Sequence, residues 1–77
     1  MRILAKNGDY TLAYYPERVN QYVVYKDVLM GKMKFWQTII QSSNFTQKIK
    51  SYFTNQQINT AIAKVHAMKY VNRRFKA

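Results

Sequence analysis

Three turn signals punctuate the first half of this chain, and between them only short extended segments fit. Asn7-Gly8 is the strongest two-residue hairpin signal available, because a type I′ turn needs positive φ at both central positions and these two residues tolerate it best. It predicts a hairpin in which Lys6 and Asp9 face each other with opposite charge. Pro16-Glu17-Arg18 then separates Tyr10–Tyr15 from Gln21–Lys26, both rich in the aromatic and β-branched residues that suit a pleated surface. Three strands in a meander follow. Beyond Met30-Gly31-Lys32, Lys32, Lys34, Trp36 and Thr38 alternate with Met33, Phe35, Gln37 and Ile39, which predicts a fourth strand.

The pattern from Phe45 to Phe53 supports two periods at once. Phe45, Ile49 and Phe53 recur every four residues, as on a short helix, and they also alternate with Thr46, Lys48, Lys50 and Tyr52, as on a strand. A strand is the narrow preference; either way Phe45, Ile49 and Phe53 point inward and Lys48 and Lys50 outward. The C-terminal helix is plainer. Thr54 and Gln57 have capping-box spacing, and Phe53 and Ile58 form the matching hydrophobic staple. Ile58, Ala61, Ile62, Val65 and Met68 then fall on one stripe, with Phe75 at its edge and Lys69 intruding. The expected fold is α+β: a small antiparallel sheet of three to five strands with one C-terminal helix packed on a face. Residues 1–77 form one domain, mainly a β meander over 1–53 and a helix over 54–75.

A 77-residue chain is near the lower limit for a self-sufficient core, so marginal stability is expected. With no cysteine there is no disulfide framework and no thiolate metal site. No apolar run exceeds four residues, which leaves no transmembrane helix or signal-peptide core and points to a soluble, cytoplasmic protein with no membrane partner.

Charge selects the class of partner. From Val28 onward the chain carries nine lysines and arginines and no acid, where an average domain of that length would hold about six acids. Of the net charge of +10, residues 1–27 contribute only +1. A surface that cannot neutralise itself attracts polyanions, DNA or RNA first and acidic protein surfaces second.

Catalysis finds little support. Asp9, Glu17 and Asp27 each lie beside a predicted turn or strand end, His66 is the sole histidine, and no nucleophile, base and orienter come together. A non-enzymatic protein without cofactor or metal is expected. Binding residues stand out more clearly. If Lys34, Trp36 and Thr38 share a sheet face with Lys48, Lys50 and Tyr52, that face interleaves lysines with aromatics, the composition that contacts phosphates and stacks on bases. A plainer role for such lysines is to discourage edge pairing. At the helix end, Lys69, Arg73, Arg74 and Lys76 exceed the one or two cations that complement a helix dipole, and the surplus favours phosphate contact.

Tyr52-Phe53-Thr54-Asn55-Gln56-Gln57, continuing with Ala61 and Ala63 after a run of strands, resembles the strand-to-helix phrase of the arm-binding N-terminal domain of tyrosine recombinases. The resemblance spans roughly residues 10–71, and the chain departs from that family in its high Tyr, Asn and Gln content and in lacking glycine-rich strand turns. It implies a sheet laid in the major groove, with Lys34, Trp36, Lys48 and Lys50 facing DNA. A short basic chain also looks like the small accessory proteins of phages and mobile elements, among them inhibitors of CRISPR defence. The expected function is therefore nucleic-acid binding by such an accessory protein; the alternative is a protein-binding inhibitor that covers an acidic or nucleic-acid-binding surface of a host defence nuclease.

Overall fold

The computed structural model describes residues 1–76, with side chains through Lys69. Four strands, β1 (Arg2–Asn7), β2 (Tyr10–Tyr14), β3 (Tyr22–Met30) and β4 (Met33–Ser42), form one antiparallel sheet in sequential order; α1 (Gln47–Lys50) and α2 (Asn55–Lys76) follow. This is the α+β architecture expected, a meander closed by a C-terminal helix.

The two glycines of the chain set the two tight hairpins. Gly8 and Gly31 have φ of 60° and 61°, and each is the first of two loop residues, between the pairs Asn7–Tyr10 and Met30–Met33. Among the described residues no other has positive φ, so these are type II′ rather than type I′ geometries. The first turn is thereby displaced by one residue from the Asn7-Gly8 reading. Lys6 pairs with Thr11 instead of facing Asp9, because Asn7 keeps a strand conformation and glycine alone takes the strained position. Between β2 and β3, Arg18 N–H closes a turn onto the Tyr15 carbonyl at 3.1 Å with Pro16 at its second position.

Each edge strand carries one irregularity. Register shifts at Leu4 in β1 and at Ile39 in β4, where an extra residue is accommodated. Leu4 lies in the core cluster, and both Ile39 and Ile40 pack against it. The bulges thus place more apolar bulk on the helix-covered face than strict alternation allows.

That face carries Leu12, Tyr14, Tyr22 and Val24 against Ile49, Phe53, Ala61 and Val65. Between β4 and α2 the structure decides against the strand preferred for 44–53. Thr46 caps a single helical turn, its hydroxyl accepting Ile49 N–H at 3.3 Å, and Ile49 and Phe53 turn under the sheet. Of Phe45, Ile49 and Phe53 only Ile49 lies within this turn; the cap and the core behind it decide for a helical turn there, and Phe45 and Phe53 flank it.

α2 begins as its capping box requires: Gln57 N–H donates to Thr54 Oγ1 at 3.2 Å, and Thr54 N–H donates to Gln57 Oε1 at 3.0 Å. Ala61 and Val65 are buried, and Ile58 and Met68 pack beside them. Ile62 departs from the expected stripe: it is 44% exposed, because the helix docks most closely on β1 and turns the 58-61-65-68 line inward. Ile62 lies instead on the flank, lining a cleft of about 270 Å³ with Tyr22, Phe45, Val65, His66 and Lys69.

Candidate nucleic-acid interface

Both helices contribute to the core on one face of the sheet. The other face is finished by its own side chains. Opposed residues of an antiparallel pair point the same way, so Thr11, Ala13, Val23 and Tyr25 share this face with Thr38, Trp36 and Lys34. Thr11, Ala13 and Val23 are buried there although they lie outside the helix-covered cluster, shielded by the larger side chains around them.

Those larger side chains form a connected row. Arg18 sits with its guanidinium carbon 3.8 Å from the centre of the Tyr15 ring, a cation–π contact. The Tyr15 hydroxyl hydrogen-bonds the Tyr25 hydroxyl and also donates to Met1 Sδ at 3.3 Å. Tyr25 in turn stacks on Trp36, with ring centroids 4.9 Å apart and planes 23° from parallel. Burial, and then the hydrogen bond with Tyr15, push the Tyr25 hydroxyl above its ordinary value of 10.0. Trp36 gives one ring face to Tyr25 yet remains 43% exposed, so its outer surface is open to a flat partner.

Charge surrounds this row. Lys34, two residues before Trp36 on the same face, approaches Asp27 Oδ2 at 3.9 Å, and Lys6 reaches the same oxygen at 3.3 Å. Asp27 is the last acid in the chain and is held between two lysines. The face therefore presents Lys6 and Lys34 around the paired Asp27 carboxylate, with Arg18 beside Tyr15 at the other end of the aromatic row.

The residues singled out from sequence divide. Lys34 and Trp36 lie together on this face. Lys48, Lys50 and Tyr52 do not join them, because the α1 segment passes over the helix-covered side. Lys48 is exposed; Lys50 is half-buried with its ammonium 5.7 Å from the Phe45 ring centre. Tyr52 packs its ring on Tyr10 at 4.7 Å, and its carbonyl accepts from Asn7 Nδ2 at 2.9 Å. Lys69 is exposed at the end of the cleft beside His66. The side chains of Arg73, Arg74 and Lys76 lie outside the described residues.

Three members of the row, Arg18, Tyr15 and Tyr25, were not legible as a site. Arg18 and Tyr15 come from a turn and its flank, and only the β2–β3 register sets them beside Tyr25. Among the described residues no group of three or more His, Cys, Asp or Glu could hold a metal ion, and no helix is long and apolar enough to cross a membrane. Comparison with known protein families, with curated proteins and with solved structures finds no match for the chain.

Proposed function

We propose that this protein binds nucleic acid, without catalysing a reaction, through the helix-free face of its sheet. The observation that carries the reading is the pairing of Lys34 with Trp36 on that face: a cation for the phosphate backbone next to an indole braced by Tyr25 and open on its other side. A braced ring loses little freedom when a base stacks on it. Arg18 and Lys6 extend the positive surface to either side, and the nine cations without an acid beyond Val28 supply long-range attraction. An accessory role for a phage or mobile element, inside a bacterial cytoplasm, fits the chain's size and charge.

Fluorescence anisotropy with labelled single- and double-stranded DNA and RNA tests this directly. Binding should be measurable at low salt and fall by orders of magnitude between about 50 and 200 mM salt if several phosphates are contacted. Trp36 is the sole tryptophan, so its emission should be quenched on the same curve. Absence of binding to every nucleic acid at low salt would overturn the reading. Nuclease-resistant, one-to-one capture of a bacterial nuclease would then replace it with the inhibitor function.

A further inference from the structure

The β3–β4 hairpin outruns the rest of the sheet. β2 pairs with β3 no further than Tyr10–Lys26, and Asp27 N–H makes the last bond to the body, 2.8 Å to the Asp9 carbonyl. Beyond it Val28–Met30 and Met33–Phe35 pair only with each other. Three residues per strand carry this ribbon about 10 Å past the body.

Its end is apolar where a solvated hairpin end is ordinarily polar. Leu29, Met30 and Met33 are 74%, 66% and 71% exposed. They belong to no core cluster, so their burial contributes nothing to the fold, and an apolar end on a bare two-stranded ribbon is an association hazard unless something occupies it. Met30 and Met33 form the last cross-strand pair, on the face shared by Val28 and Phe35; Leu29 and Lys34 share the other. Lys34 lies on the ribbon, Lys26 stands at its base and Lys32 in the turn at its tip, and no acid lies beyond Asp27.

We infer that this ribbon enters the minor groove of duplex DNA and wedges Met30 and Met33 against a base step, bending the duplex. The inference rests on the nucleic-acid reading above and specifies its target. The flanking lysines match the phosphates that line a groove. A reach of about 10 Å exceeds the minor-groove depth of about 7.5 Å, so the end arrives at the base edges. Two strands about 4.8 Å apart, with their side chains, are wider than an undistorted minor groove of about 6 Å, so entry must open the groove, and opening it bends the helix away from the protein. Apart from Lys32 in the turn, the end residues offer nothing to the donor and acceptor code of the major groove. Their gain comes from apolar contact with an unstacked step, and methionine, unbranched and polarizable, fills such an irregular gap well.

The test uses the full chain and an end-labelled duplex of about 30 base pairs with a flexible central TA step, read by energy transfer between its ends. The wild type should raise the transfer, reporting a bend of about 20–90°. A variant carrying L29S, M30S and M33S should bind the duplex more weakly but with an unchanged salt dependence, since every lysine is retained, and lose the bend; these side chains lie outside the core, so its melting temperature should match the wild type. A duplex that is bound without bending, or bent equally by the variant, overturns the wedge and leaves the nucleic-acid reading standing. Failure to bind any DNA or RNA removes both. Binding to anionic phospholipid vesicles that the variant loses, with duplex ignored, overturns the inference in favour of a lipid surface.

Discussion

Gln57 ties the start of α2 to the edge of the sheet: its Nε2 donates to the Lys6 carbonyl at 2.7 Å while its Oε1 accepts the Thr54 N–H at 3.0 Å. Both ends of one amide are used, so a single side chain caps the helix and docks it. Gln57→Ala should therefore cost more than an ordinary surface change, about 1–2 kcal/mol, and Thr54→Ala about 1 kcal/mol. Thermal melts of the two variants would show this. Equal and negligible losses would mean that the cap is solvated rather than structural.

Val65 and Ile62 separate the buried line of α2 from its flank. Val65→Ala should cost roughly 2 kcal/mol, since a buried aliphatic is truncated in a domain with little stability to spare. Ile62→Ala should cost less than Val65→Ala, because its side chain is part-exposed on the flank where it lines the cleft. Chemical denaturation gives both values, and a reversed order would mean that the helix is rotated about its axis.

Asp27 restrains two lysines of the proposed interface. Its Oδ1 is buried without a hydrogen-bond partner among the described residues, and Oδ2 pairs with lysines that are themselves exposed, so Asp27→Asn should cost less than about 1 kcal/mol. The same change should raise nucleic-acid affinity and steepen its salt dependence, by about one unit of log–log slope if one more lysine is released to a phosphate. Weaker binding at low salt would show instead that Asp27 holds Lys34 in its binding position.

Alkali should weaken the fold through its tyrosines. Burial, then the neighbouring Tyr14, raises the Tyr22 hydroxyl above its ordinary 10.0, and Tyr25 is raised as well. A hydroxyl that holds its proton more tightly when folded adds stability that is fully present below about pH 10 and is lost as the pH climbs through the folded value. Melting temperature should be level from neutral pH to about 10 and then fall, less steeply in Tyr22→Phe. An identical alkaline decline in that variant would put the cause elsewhere.

The proposed face and the α1 side are separable by substitution. Lys34→Ser with Trp36→Ala should weaken nucleic-acid binding more than Lys48→Ser with Lys50→Ser, because the first pair removes stacking as well as charge. Its loss should persist at low salt, where the second pair recovers. The opposite ranking would move the interface to the helix-covered side.

Much of this architecture is written in nearest-neighbour chemistry. Glycine at 8 and 31 takes backbone positions closed to other residues, Thr54 and Gln57 satisfy each other's amides across one turn, and the helical spacing of 58, 61, 62, 65 and 68 marks the apolar side of α2, although docking on β1 turned Ile62 to its flank. The placement of Lys34 and Trp36 on one face follows from strand alternation alone, and the excess of positive charge is a matter of composition. None of these depends on what lies far away in the chain.

What spans distant segments was settled only by the tertiary structure. Phe45, Ile49 and Phe53 satisfy a strand and a helix equally, and the core beneath the sheet chose the helix, sending Lys48, Lys50 and Tyr52 to the side opposite Trp36. The bulges at Leu4 and Ile39 shift which neighbours meet across the strands, and the register of β2 on β3 brings Tyr15 and Arg18 to Tyr25. Likewise the exposed ribbon exists because β2 begins only opposite Lys26, while β3 and β4 extend beyond it. Local propensity acts over a few residues, whereas register, facing and coverage are fixed by which apolar groups can be buried together, and that is a property of the assembled sheet.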